Sequence, residues 1–490
     1  MNLDEYASKD ALDLAHLVKS RQITAVELRD LGIQAIDQVN PRLNAVVGTT
    51  LEEADAALGR IGPTAPFSGV PFLIKDLGLM YAGVPSEGGS RILKGLVPPH
   101  DSELAIRHKR AGLVTIGRTN TPEFGNNAST EPVANGPTRN PWDLRRSSGG
   151  SSGGAAAAVA AGITPIAHAS DGGGSIRVPA ANCGVFGLKP SRGRNPSGPD
   201  LEELLFGLVN DHAVSRSVRD SAALLDATAG PEIGSRLLIA PPTETFLTAS
   251  QHDPRRLRIA FTAQPGRGGD APQPDCIKMV EDVAALCQTL GHEVYEAAPS
   301  IDVEEVTHVF LVLAAVAVRQ AVMHVHELTG RLIDQDTLEA TNLKIVQFAA
   351  SCSAADLDNA LGVLHRITRT LGEFFTSCDL WLSPTLAAPP PLLGYLNSND
   401  PALSARDWIS RIMATCPYTA MFNQSGQPAM SVPLYWNEAG LPIGSHFAAH
   451  LGAEETLFSL AGQLERARPW AQRRPPVHVA ARDPSPDRKR

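Results

Sequence analysis

At 490 residues, with 43% hydrophobic and 19% charged residues, the chain can bury a large core and is too apolar to be disordered. Its formal net charge of −9 excludes the broad cationic surface that non-specific nucleic-acid binding requires. Six cysteines, Cys183, Cys276, Cys287, Cys352, Cys378 and Cys416, are too sparse for a disulfide scaffold and include no CxxC pair, so a reducing, cytoplasmic compartment is expected. The N-terminal MNLDEYASKDALDL carries charges where a signal peptide needs an apolar core, and no stretch reads as a membrane span.

The first 60 residues read as helical. Thr24 and Glu27 fit a capping box, apolar residues follow at helical spacing, and Asn40-Pro41 is expected to close that helix. Val70 to Ile74 is an apolar run of strand length flanked by glycines. Residues 102–111 are amphipathic and helical, and 113–120 read as a strand. From 140 to 195 Gly, Ser and Ala dominate. Residues 240–375 return to helical patterning, with 304–326 apolar around most of its circumference, as in a buried helix. DLWLSPTL at 379–386 is a further buried strand; 417–475 holds short strands and a helix from Glu454 to Arg466. Residues 476–490 are polar and Pro-containing, and a disordered tail is expected there. Strands alternating with helices argue for an α/β fold, a sheet covered by helices on both faces.

The stretch Arg145 to Arg194 carries the chemistry. Gly149-Gly150-Ser151-Ser152-Gly153-Gly154 precedes a small-residue helix, and Gly172-Gly173-Gly174-Ser175 follows one helix and one strand later. The interval 175 − 151 = 24 residues returns the chain to the same end of the sheet. Consecutive glycines let backbone N–H groups converge on one point, as an acyl-transfer enzyme needs for a developing oxyanion. The N–H groups of Gly172, Gly173, Gly174 and Ser175 are the oxyanion-hole candidates. A serine nucleophile needs a base. His168 is the one histidine near either loop and has no evident acidic partner. Lys75 ends a buried strand, where desolvation favours the neutral amine. It could take a proton from Ser151, which could take one from Ser175. A pair with Asp76 is disfavoured, because neighbours on a strand point to opposite faces.

GGSSGG followed by DGGGSIRVPAANCGVFGLKP, with PFLIKD and TNTPEFGNNASTE upstream, resembles the amidase signature family. The match is dense from Gly69 to Arg194 and recurs in DLWLSPT and FNQSGQPAMSVPL. The resemblance implies a large mixed β-sheet and one domain over 1–475: a catalytic core at about 66–235, a variable helical segment at about 240–375, and a return to the core at 379–475. It implies Lys75 as base, Ser151 as bridging serine beside a cis peptide bond, and Ser175 as the acylated nucleophile. Gly172 departs from the family, which more often has Thr or Ile there. Asp171 and Arg177 read as a structural ion pair. Asn126, after TNTPEFG, is the substrate-binding candidate. The segment most resembles the branches acting on aryl, small secondary and cyclic amides. A small amide substrate is implied, with no cofactor, no metal, no nucleic acid and no membrane partner, and a homodimer is possible.

Two other readings compete. Gly149-x-Ser151-x-Gly153 also fits the nucleophile elbow of α/β-hydrolases, with His446 or His450 as base. An ammonia-generating amidotransferase subunit is the second, although that branch continues differently after LKP. Metal catalysis is disfavoured: there is no HExxH, and His324 and His326 lie two apart on a helix, facing away from each other.

Overall fold

Pro71–Lys75 is buried at every position, as a strand must be when both faces of its sheet are covered. In the computed structural model, which describes residues 1–62, 64–269 and 271–481, this strand lies third in an eleven-stranded sheet. The order is Val46–Thr49, Val114–Thr119, Pro71–Lys75, Ile166–Asp171, Asn210–Ser215, Phe186–Lys189, Ala429–Trp436, Pro442–Ala449, Leu380–Pro384, Arg258–Phe261 and Glu293–Glu296. Pairing is parallel around Pro71–Lys75 and antiparallel from Ile166–Asp171 through Asn210–Ser215 to Pro442–Ala449, so the sheet is mixed, as expected. Because Pro71–Lys75 and Ile166–Asp171 are parallel neighbours, their C-terminal ends meet at one edge. The glycine loop at 172–175 leaves from there.

Local signals explain most boundaries. Thr24 Oγ1 accepts the Glu27 N–H at 3.1 Å, and the Glu27 carboxylate accepts the Thr24 N–H at 2.7 Å. The helix runs from Ala25 to Leu43 and does not stop at Asn40-Pro41. The proline removes one donor in the last turn. The helix is closed instead by Asn44, in the left-handed conformation at φ 52°, whose N–H reaches Asn40 O at 2.8 Å.

The middle segment is not purely helical. Arg258–Phe261 and Glu293–Glu296 extend the sheet by parallel pairing beyond Leu380–Pro384. The apolar helix runs from Val303 to Thr329 and has a mean hydropathy of 1.8 over its most apolar window, long and apolar enough to cross a membrane. Yet 56% of that window is buried against the chain itself, including the helices Ala340–Ser351 and Ala354–Phe374, so its apolarity is accounted for by packing. The tail expected from residue 476 begins later. Val477 and Val479 are buried, and their N–H groups donate to Pro141 O at 3.2 Å and Ala161 O at 2.9 Å. The rest of that expected tail, 482–490, lies outside the described residues.

The helix Gly153–Ala160, between the two serine loops, is buried at every residue. A Cβ at Gly154 would stand 2.4 Å from Asn120 N and 2.5 Å from Ala45 O, both rigid backbone. The absence of side-chain bulk lets this helix lie against the sheet and hold the two loops together. Gly154→Ala should therefore destabilise the fold by about 1–3 kcal/mol despite alanine's better helix propensity. Urea unfolding reads this directly, and an unchanged or raised midpoint would contradict the packing account.

Candidate active site

Lys75 is 1% exposed. Its Nζ lies 2.6 Å from Ser151 Oγ, 2.9 Å from Ser170 Oγ and 3.5 Å from Ser170 O. No carboxylate forms an ion pair with it among the described residues. Asp76 points the other way, to Arg118 Nη1 at 2.7 Å and the Glu87 N–H at 2.9 Å, as strand alternation requires. Burial lowers the Lys75 pKa to about 7, although the charges of Asp211 and Asp171 oppose the shift. The Lys75 backbone N–H donates to His168 Nδ1 at 3.3 Å, which leaves the proton of that ring on Nε2, facing Asp211 Oδ1 at 3.1 Å. His168 thus has the acidic partner that the sequence did not reveal.

The two serine loops are tied by the Ser152 N–H, which donates to Ser175 O at 3.2 Å. The peptide between Gly150 and Ser151 is cis. Ser175 is partly exposed, and its Oγ makes no hydrogen bond among the described residues. Asp171 and Arg177 form the expected ion pair, fully buried and two-pronged, at 2.9 and 3.0 Å. Asp171 also collects the N–H groups of Gly174 at 2.6 Å and Ile176 at 3.1 Å. This corrects one expectation. The Gly174 N–H is turned away onto Asp171 and is not available to an oxyanion, whereas those of Gly172, Gly173 and Ser175 have no partner among the described residues.

Ser175 stands where two cavities meet. The larger, about 160 Å³, is walled by Leu77, Phe124, Leu204, Leu205, Val209 and Val318, and is also bordered by Ser151, Ser170 and Asp211. The smaller, about 30 Å³, is bordered by Gly150, Val178, Ile412 and Met413. Gly125, Asn126, Gly173, Ser175 and Phe310 border both. A side chain would be crowded at two glycines here. A Cβ at Gly173 would meet Phe310 Cε2 at 2.9 Å, and one at Gly172 would press on Val209 Cγ2 at 3.1 Å. Phe124 and Leu205, which border the larger cavity, hold left-handed φ angles of 53° and 55°, costly for non-glycine residues and commonest at functional sites.

Asn126 borders both cavities. Its Nδ2 donates to Asn342 Oδ1 at 3.0 Å, and the Asn342 Nδ2 in turn donates to Glu123 Oε2 at 2.8 Å. This run of bonds leaves Asn126 Oδ1 without a partner among the described residues. Asn127 is engaged on both sides: its Nδ2 donates to Leu396 O in a distant loop, and its Oδ1 accepts from the Ser129 N–H within its own turn. Burial and the neighbouring Glu339 hold the Glu123 carboxyl well above the usual carboxylate range.

Neither histidine of the elbow reading reaches Ser151. His446 lies between Arg177 Nη1, 3.1 Å from its Nε2, and Ser383 Oγ, 3.0 Å from its Nδ1; burial holds its pKa far below the ordinary value. His450 is exposed. The strand before Ser151, Asp143–Ser147, belongs to a separate two-stranded sheet, not to the strand–turn–helix of an elbow. Among the described residues, no group of three His, Cys, Asp or Glu side chains is placed to hold a metal ion.

A family model described as Amidase matches residues 30–458. A 6-aminohexanoate-cyclic-dimer hydrolase of Paenarthrobacter ureafaciens is 36% identical over 478 residues, 95% of this chain and 96% of that protein. The solved structure of a 6-aminohexanoate cyclic dimer hydrolase complexed with substrate superposes with a TM-score of 0.91, at 35% identity over 96% of this chain and 99% of that one. A bacterial aryl acylamidase belonging to the amidase signature enzymes superposes with a TM-score of 0.86, at 28% identity over 95% of this chain and 97% of that one.

The Asp171–Arg177 pair fixes the direction of the Gly174 and Ile176 N–H groups, and neither partner is solvated. Removing one leaves a bare buried charge. Arg177→Met should cost about 3–5 kcal/mol in urea unfolding; a loss below about 1 kcal/mol, the scale of a surface pair, would contradict this role.

Proposed function

Because this chain belongs to the amidase family, the amidase signature enzymes, and is an amidohydrolase acting on linear or cyclic amides, we propose that Lys75, Ser151 and Ser175 form its proton relay and nucleophile. The observation that carries this reading is a lysine amine buried without an ion pair among the described residues, 2.6 Å from a serine hydroxyl at the cavity wall. Near pH 7 a large fraction of that amine is neutral and can act as a base.

Ser175 Oγ attacks the amide carbonyl while its proton passes to Ser151 and from Ser151 to Lys75. The oxyanion of the tetrahedral intermediate accepts from the free N–H groups of Gly172, Gly173 and Ser175. As the C–N bond breaks, the departing nitrogen takes a proton from Ser151, which recovers one from Lys75. An ester on Ser175 remains. Water then attacks the ester carbonyl, giving its proton to the same relay, and the carboxylic acid departs as Ser175 Oγ regains its proton.

Asn126 Oδ1, oriented by Asn342, accepts a hydrogen bond from the substrate amide N–H. The apolar cavity walls suit a small carboxylic amide of the aryl, secondary or cyclic kind, in keeping with the similarity to a cyclic-dimer hydrolase and an aryl acylamidase. The six unpaired cysteines support a reducing, cytoplasmic setting.

A fluorophosphonate should label Ser175, located by mass spectrometry, and Lys75→Ala should suppress labelling and lower kcat by about 10²–10⁴-fold. Because the base is the deprotonated amine, kcat/KM should rise with pH through a limb centred near 7. An adduct on another residue, a fully active Lys75→Ala enzyme, or a limb centred at the ordinary lysine value of 10.5 would overturn the assignment.

A further inference from the structure

We propose that the larger cavity takes the amine portion of the substrate and that Asp211 selects amine portions bearing a second, cationic nitrogen. The inference rests on the relay proposed above, through the position of Ser151. The departing nitrogen must take its proton from Ser151, and Ser151 borders the larger cavity and not the smaller. The substituent on that nitrogen therefore runs into the larger cavity, and the acyl group turns towards the smaller.

The walls of the larger cavity are apolar except for Asn126, the serines and one charged group, Asp211. Asp211 Oδ1 is held by His168 Nε2 at 3.1 Å, and its Oδ2 has no partner among the described residues. Among the described residues, no Lys or Arg side chain borders either cavity. Arg192, on the far side of Asp211, is engaged by the carbonyls of Gly207, Asn423 and Gln424. Lys75, behind the cavity floor, is neutral in the form that takes up substrate, as the relay requires. The cavity therefore presents one carboxylate with no cation opposite it, next to apolar walls that strengthen any charge–charge contact.

The spacing suits a short chain between the two nitrogens. Asp211 is the cross-strand partner of Ser170, whose Oγ is 2.9 Å from Lys75 Nζ, so the carboxylate lies one residue pair away from the relay. An alkylamine remains an ammonium at the pH where Lys75 is neutral, since its ordinary pKa is about 10.4. It therefore meets Asp211 as a cation under working conditions. A carboxylate at the same position meets only repulsion.

The test compares N-(ω-aminoalkyl)butanamides of graded chain length with the isosteric N-alkylbutanamides and N-(ω-carboxyalkyl)butanamides. At the best chain length, kcat/KM for the cationic amide should exceed that for the neutral one by about 10–100-fold, as for one charge-assisted hydrogen bond, and the anionic amide should rank last. Asp211→Asn should bring the cationic-to-neutral ratio near unity; any general loss of rate cancels in that ratio. Calorimetry gives a reading independent of turnover: an alkylammonium should bind the wild-type enzyme more tightly than the matching alcohol, and Asp211→Asn should remove the difference. If Asp211→Asn does not fold, Val209→Lys, which puts a cation on the same wall, should reverse the substrate order. Equal treatment of cationic and neutral amides by the wild-type enzyme, or a preference that survives these variants, overturns the inference. Hydrolysis that persists in Lys75→Ala would instead defeat the relay, and the calorimetric comparison would still decide the role of Asp211.

Discussion

An amine buried with hydroxyl neighbours and no carboxylate partner is the constraint from which the rest of the site follows. In water a lysine amine is protonated and useless as a base near neutrality. Inside the protein the charged form loses its hydration, and Ser151 and Ser170 do not replace what a carboxylate would supply. Burial alone is not sufficient. Lys189 is as deeply buried as Lys75, and its pKa is also depressed, yet its Nζ reaches only Pro190 O. What distinguishes Lys75 is the hydroxyl at its tip and the cavity beyond that hydroxyl.

The acidic groups around this amine are arranged so that none pairs with it. Asp76 is turned to the opposite face and held by Arg118, Asp171 is matched by Arg177, and Asp211 is held by His168. Each is tied to another partner, so Asp171 and Asp211 act on Lys75 only from a distance and moderate its shift without cancelling it. The same Asp171 orients the glycine loop, taking the Gly174 N–H and leaving those of Gly172, Gly173 and Ser175 without a partner among the described residues. One buried ion pair thus bears on both the electrostatics of Lys75 and the geometry of the glycine loop.

Much of this was legible in the sequence because the chemistry depends on short, unusual motifs. Two glycine–serine loops 24 residues apart, and a lysine ending an apolar strand, single out Lys75, Ser151 and Ser175 as candidates, and the fold brings Lys75 and Ser151 within 2.6 Å. The capping box at Thr24, the strand at 71–75 and the apolar helix at 303–329 follow from local periodicity. What was not legible depends on contacts between distant segments. The pairing of His168 with Asp211 crosses two antiparallel strands 43 residues apart, and no local signal marks it. Ser170 carries no local signal of its own; the fold sets its hydroxyl 2.9 Å from the Lys75 amine. Phe310, which borders both cavities, comes from a helix with no motif. Which of four consecutive N–H groups turns away from the cavity cannot be read from the glycines themselves, because it is set by the Asp171 carboxylate. The ordered run at 477–479 looked like tail because its two valines gain their burial only against distant segments.

The most direct test of the central claim is the protonation state of Lys75 itself. In protein carrying ¹³C-labelled lysine, the Lys75 side-chain resonance, assigned by its loss in Lys75→Met, can be followed through a pH titration. The account predicts a midpoint near 7, set by desolvation. A midpoint near the ordinary 10.5 would mean that the amine is charged throughout the neutral range, and this lysine could not then be the base.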